Sequence, residues 1–283
     1  MVRASRRRRV TRLRVGDDGA VEVNARADTI AGEEPLELRL NGRPFTVTMR
    51  TPGDDFDLAA GFLVSEGVVS SMDHIAGLRY GPGVHADGRA SYNIVEVTLA
   101  PGVAPPDTSA ERHVYTSSSC GICGTASIEA VTKTSAFDVA RDGLRMTAAQ
   151  LLALPEALRA EQSLFSSTGG VHAAGLFALD ADGPRLLCLR EDVGRHNAVD
   201  KVVGWALRTN LVPARNTVLQ VSGRASFELV QKAHLAGIPA LAAVSAPSSL
   251  AVELADQAGI TLAGFSRGRS VNLYTRADRV RTD

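Results

Sequence analysis

The chain has 283 residues, with 31 basic and 31 acidic side chains and a formal net charge of zero. That length suits one large domain or two modest ones, and the charge balance argues against general nucleic-acid binding. No apolar run reaches membrane-spanning length, and three cysteines are too few for a disulfide framework, which points to a reducing, cytoplasmic setting.

Residues 1–19 are rich in arginine, with Arg6 to Arg9 in a row. No apolar stretch follows to make them a secretory signal, so they read as a solvated, disordered tail. Residues 20–110 read as a smaller, antiparallel, β-rich part. Within it, residues 36–49 alternate apolar and polar around Asn41-Gly42. That pair suits a type I′ hairpin turn, whose central residues need positive φ. A helix is expected over 51–67, opened by acidic residues and closed by Gly67, and a strand over 91–102.

A short strand at 112–117 leads into the segment Thr116–Ser127, TSSSCGICGTAS, and residues 125–135 have helical composition. Thr147 and Gln150 stand at capping-box spacing before a helix that Pro155 should break and restart. From about Val171 onward, strands alternate with helices. Strands are expected at 171–179, 184–191, 216–223, 239–247 and 260–266, with helices at 197–210, 226–237 and 249–259. This pattern predicts an α/β fold over 111–283, built on a mixed sheet with helices on both faces.

Three strand-to-helix junctions in that half share a character: residues 190–197, 222–226 and 245–249. In open α/β sheets, ligands bind at the carboxyl ends of strands. Helix N-termini there offer free N–H groups and a positive dipole end, which favour anions. Arg195, His196, Ser222, Gly223 and Arg224 occupy two of these junctions, and Arg267 and Arg269 flank Gly268 after the last strand. Guanidinium forks in such places suit phosphates. Polar residues at helix starts also serve as plain caps. His172, in an apolar strand, reads as a core histidine, and Cys188, among leucines, as a small buried hydrophobe.

Cys120 and Cys123 form a Cys-x-x-Cys turn set among glycines and serines. Such turns lower thiol pKa and create nucleophiles. Structural zinc needs four ligands, and no second pair accompanies this one within the chain. A zinc deaminase pairs this motif with an upstream His-x-Glu, but His113 is followed by Val114 and Tyr115. A thiol-disulfide oxidoreductase and a sulfur relay both remain compatible with the pair.

Taken together, SSSCGICG, REDVGRHNAVDKVVG, SGRASFELVQKA, AGIPALAAVSAPSSLAVELA and GFSRGRSVNLYT closely resemble the family of formate dehydrogenase accessory proteins FdhD. The resemblance runs from about Pro35 to Thr275. It implies a cytidine-deaminase-like fold without the deaminase zinc or another resident metal. It also implies a sulfurtransferase that takes sulfur from a cysteine desulfurase as a persulfide. The sulfur passes to the molybdenum bis-guanine-dinucleotide cofactor and activates formate dehydrogenase. On that basis Cys120 is the persulfide carrier and Cys123 its partner. Phe265, Ser266, Arg267, Gly268, Arg269 and Ser270 match the cofactor-binding segment, where a guanine nucleotide such as GDP can also sit. The resemblance implies a homodimer as well.

Overall fold

The computed structural model describes residues 4–83, 91–105, 133–180 and 182–282. Cys120 and Cys123 lie outside the described residues, as do the strand expected at 112–117 and most of the helix expected at 125–135.

Asn41 and Gly42 adopt φ of 49° and 79° and join β3 (Glu34–Leu40) to β4 (Arg43–Arg50). Leu36, Leu38 and Leu40 alternate into the core, as a half-buried strand requires. The side chain of Asn41 also accepts the Leu99 N–H at 2.9 Å. A helix, α1 (Asp55–Ser65), follows, and then β5 (Ile75–Tyr80) and β6 (Ile94–Leu99) complete a four-stranded sheet ordered β4-β3-β6-β5. This sheet is not wholly antiparallel as expected, because β6 enters beside β3 in parallel. The crossover through α1 makes that pairing reachable.

The N-terminus also differs from expectation. Where arginine density suggests a tail over 1–19, β1 (Ser5–Val15) pairs antiparallel with β2 (Val21–Ala31) as a two-stranded ribbon. Its register places Leu13 opposite Val23 and Val15 opposite Val21. The arginine run masks this alternation, because charge in a short window outweighs a pattern of β-branched residues on one face.

In the second half, β7 (Met146–Thr147) precedes α2 (Ala148–Glu161) and α3 (Ser163–Thr168). The capping box is present, with Thr147 Oγ1 accepting the Gln150 N–H at 3.1 Å and Gln150 Oε1 accepting the Thr147 N–H at 2.9 Å. Pro155 does not break α2. The helix is kept by burial of Leu151, Leu154 and Leu158 along one face, which offsets the hydrogen bond that proline removes. The break comes at Gln162, where Glu191 accepts the N–H groups of Leu164 and Phe165, both at 2.8 Å.

The remaining elements are β8 (His172–Asp180), β9 (Gly183–Asp192), α4 (Arg195–Arg208), β10 (Thr217–Val221), α5 (Phe227–Leu235), β11 (Ala240–Ala243), α6 (Ser249–Ala258), β12 (Thr261–Arg267), β13 (Ser270–Thr275) and β14 (Val280–Arg281). β8 to β13 build the mixed six-stranded sheet, ordered β13-β12-β11-β10-β8-β9, while β14 pairs with β7 in parallel. β10, β11 and β12 run parallel, while β8, β9 and β13 run antiparallel to their neighbours. Alternate side chains feed two cores. Ala174, Leu176, Leu219, Leu241 and Leu262 join the core shared with α1, α4, α5 and the smaller sheet. Ala173, Phe177, Val218, Ala242 and Ala263 join the core beneath α2. Helices therefore cover both faces, as the βαβ pattern predicts. No helix among the described residues is long and apolar enough to cross a membrane.

The two halves meet where α1 packs on α4. A Cβ placed on Gly61 would lie 1.8 Å from the Asp200 carbonyl oxygen, and one on Gly204 would lie 1.8 Å from that of Asp57. The two glycines thus allow backbone-to-backbone contact between the helices. Buried ion pairs flank the crossing. Lys201 Nζ lies 2.8 Å from Asp192 and Lys232 Nζ 2.7 Å from Asp200. Asp57 bonds Arg190 at 2.7 Å and also Arg208.

Gly204→Ala is expected to destabilise the fold by about 3 kcal/mol, at the upper end of overpacking, because the obstruction is main chain and cannot rotate away. Chemical denaturation midpoints measure this, and an unchanged midpoint would remove the crossing as a constraint.

Candidate functional site

Strand directions place the carboxyl ends of β9, β10, β11 and β12 on one edge of the large sheet, together with the start of β8. Residues 192–196, 222–226, 245–248 and 264–270 therefore share this edge, as the junction argument requires. Backbone hydrogen bonds lace the loops. Ser245 N–H donates to Gly223 O at 3.3 Å, Phe265 N–H to Ser245 O at 3.2 Å, and Ser248 N–H to Ala225 O at 3.0 Å.

The first junction is anchored by Asp192, which is fully buried. Its carboxylate accepts from Gly194 N–H at 2.9 Å, Thr51 N–H at 3.0 Å and Asn197 Nδ2 at 3.2 Å, besides pairing with Lys201. Lys201 also donates to Thr51 O at 2.8 Å. Four donors on one carboxylate fix the turn into α4, so Arg195 and His196 stand in its first turn at a set place.

His196 Nε2 lies 3.4 Å from Ser226 Oγ and 3.8 Å from Glu228 Oε2. Ser226 occupies the N-cap of α5 but makes no side-chain cap bond. Its hydroxyl instead faces His196. The nearby His196 ring holds the Glu228 carboxyl well below its ordinary value, at about 2, with a smaller contribution from the Ser226 hydroxyl and against the opposing effect of burial. Both oxygens approach the same ring nitrogen, so the three residues are not a nucleophilic triad, which needs its base gripped on opposite nitrogens. The arrangement positions the imidazole instead.

His172 is half-buried at the start of β8 rather than in the core as expected. A Cβ on Gly223 would sit 3.6 Å from its Nδ1, so the ring faces the β10–α5 loop. Burial lowers its pKa, and Arg195 and His196 lower it further, against the opposite pull of Asp192. Cys188 is buried, and burial raises its thiol to about 12, which leaves it inert.

At the far end of the edge, Phe265 has φ of 52° within a bulge between Gly264 and Arg267. A phenylalanine in that region carries strain of roughly 1–3 kcal/mol. Gly268 has φ of 57° in the two-residue turn between Arg267 and Ser270. Arg267, Gly268, Arg269 and Ser270 are exposed, whereas Ser266 is fully buried. The Arg267 guanidinium lies 5.9 Å from the Phe265 ring centre. Arg224 is exposed on the neighbouring loop.

The structure thus brings Arg195, His196, Ser222, Gly223 and Arg224 to the same edge as Phe265–Ser270. Ser226, which closes the 222–226 junction without being singled out, Glu228 and the edge placement of His172 escape sequence reasoning. The first two pass as ordinary helix-start residues, and His172 faces the edge only because β8 runs antiparallel to β10.

The family model described as the FdhD/NarQ family matches residues 31–281. The protein named Sulfur carrier protein FdhD of Mycolicibacterium paratuberculosis is 56% identical over 274 residues, covering 97% of this chain and 98% of the relative. The protein of the same name from Streptomyces coelicolor is 56% identical over 281 residues, covering 99% and 97%. That from Saccharolobus solfataricus is 40% identical over 257 residues, covering 90% and 91%. Among solved structures, a protein of Desulfotalea psychrophila assigned as a formate dehydrogenase accessory protein shares the fold, with a TM-score of 0.70 at 23% identity. The match covers 99% of this chain and all of that one.

The Glu228 carboxylate contributes stability that is present above its ordinary value of 4.5 and lost as pH falls through about 2. Glu228→Gln should therefore cost stability at pH 6, and the gap to the wild type should narrow between pH 4.5 and 2. A gap independent of pH in denaturation experiments would dismiss the His196 contact as the cause.

Proposed function

The chain belongs to the FdhD/NarQ family, and from that premise we propose that it carries sulfur for the maturation of a formate dehydrogenase. In this reading Cys120 accepts sulfur from a cysteine desulfurase and delivers it to the molybdenum bis-guanine-dinucleotide cofactor, which is a substrate here. The Cys120 thiolate attacks the terminal sulfur of the donor's persulfide. A new S–S bond forms as the donor's breaks, and the donor cysteine leaves as thiolate. Cys123 stands three positions beyond, across Gly121 and Ile122, as the partner thiol.

The observation that carries the ligand half of this reading is the gathering of four loops at one sheet edge, with Arg195, Arg224, Arg267 and Arg269 among them. Free N–H groups at helix starts and guanidinium forks match the phosphates of a guanine dinucleotide. An edge laced by backbone bonds is also preorganised, which reduces the ordering cost of binding. A homodimer, each copy offering one such edge, suits a cofactor with two nucleotide arms. The cytoplasm, where sulfur donors and reduced thiols coexist, is the compartment this chemistry requires.

Two outcomes test the reading. Cys120→Ala should keep the wild-type fold by circular dichroism and abolish activation of a partner formate dehydrogenase, whereas full activation would remove Cys120 from the mechanism. GDP should bind the wild type and bind the Arg267→Ala/Arg269→Ala variant at least tenfold more weakly by calorimetry, a loss of about 1.4 kcal/mol. Equal affinity would place the nucleotide elsewhere.

A further inference from the structure

The ribbon of β1 and β2 stands ahead of residue 31, where the match to the family begins. Gly16 N–H donates to Ala20 O at 2.9 Å at its tip, and Gly32 N–H to Ala4 O at 2.7 Å at its base. Both pairs join even-numbered residues, and the register between them runs without a bulge. Bonded pairs recur at every second residue of an antiparallel ladder. Even-numbered residues therefore bond across the ribbon, while Val21, Val23, Ala25 and Ala27 turn their N–H and C=O groups outward. Among the described residues no other strand pairs with β2. Residues 21–27 are all exposed, whereas Asp28 and Thr29 are half-buried.

That exposed stretch reads Val-Glu-Val-Asn-Ala-Arg-Ala, with opposite charges placed evenly about Asn24. Laid antiparallel on an identical strand, with a two-fold axis at Asn24, it sets Glu22 of each copy against Arg26 of the other. Opposite charges facing across a strand pair are favourable. We propose that β2 pairs in this register with β2 of a second copy, joining two ribbons into a four-stranded sheet. This rests on the homodimer reading above and not on sulfur carriage.

The other free strand cannot take this role. β1 carries six arginines and no acidic residue, so pairing it with its own copy would set arginine against arginine. Charge of that kind guards an edge, and β2 lacks it. Within one copy Arg26 has Asp28 at 3.6 Å on the same strand, largely open to water, and such a pair holds it weakly. Glu22 stands across from Arg14 within the ribbon, so pairing places its carboxylate between two guanidinium groups. Val21 and Val23, 59% and 64% exposed in one copy, come to lie beside the other copy's Ala27 and Ala25. A two-stranded ribbon alone is marginal in water, and adding strands is what stabilises it.

In this register Asn24 meets its own counterpart in a pair without main-chain bonds, whose Cα atoms lie about 4.5 Å apart. A disulfide can span that distance. Asn24→Cys in the full chain, under mild oxidation, should give a linked dimer whose bridge maps by mass to position 24 of both copies. Arg12→Cys, across from Asn24 on β1, should give none at position 12, because three strand spacings part it from its counterpart by about 14 Å. Adding Arg26→Glu to Asn24→Cys should slow linkage about fivefold, since two pairs turn from attraction to repulsion. Adding Glu22→Arg as well should restore it. A chain that is dimeric by sedimentation but gives no bridge at position 24 would overturn the ribbon pairing and leave the homodimer reading intact. A bridge that forms equally fast with Arg26→Glu would overturn the charge-matched register. A wild type that is monomeric at every concentration would overturn both readings.

Discussion

Gly61 and Gly204 let α1 and α4 approach until main chain meets main chain, and the sheet edge depends on that contact. α4 carries Arg195 and His196 in its first turn, so its position on the sheet decides where those groups stand. The crossing alone would permit sliding. Asp192 with Lys201, and Asp200 with Lys232, remove that freedom, because each buried charge must keep its partner. Breaking such a pair costs about 3–5 kcal/mol, while replacing both partners with apolar groups can be neutral. Their evident use here is registry. Lys201 reaches both Asp192 and the Thr51 carbonyl, and so ties the smaller sheet's exit to the larger sheet's edge.

The same economy extends along the edge. Polar loops between strands and helices are ordinarily mobile. Here the loops after β10 and β11 are joined to each other, and to Phe265 within β12, by backbone hydrogen bonds, which fixes these stretches of main chain relative to one another. Phe265 is kept in a strained conformation beside the exposed arginine turn. Strain of this kind persists where surrounding structure imposes it, and it clusters at binding sites. Under the proposed function, such an edge would hold an anionic cofactor while a thiolate delivers sulfur to it.

Much of this was legible in the sequence. The Asn41-Gly42 turn, the Thr147 capping box and the alternation of strands and helices after Val171 all rest on local patterns, and local patterns survive folding. The parallel placement of β6 beside β3 does not, since pairing partners are chosen by tertiary packing. Pro155 was misleading for a related reason: three buried leucines outweigh one lost hydrogen bond. The β1–β2 ribbon was hidden by charge. At the site, arginines and glycines at strand ends pointed to the edge. The meeting of Glu228 and Ser226 with His196 gave no signal, because it joins residues about thirty positions apart. His172 read as a core residue and stands half-buried at the edge instead, because its place follows from the direction of β8.

Sulfur carriage itself is tested most directly by mass. The full chain, incubated with a cysteine desulfurase and free cysteine and analysed intact without reductant, should gain one sulfur atom. Cys120→Ala should gain none. An equal gain in Cys120→Ala, or no gain in the wild type, would contradict a persulfide carried on Cys120.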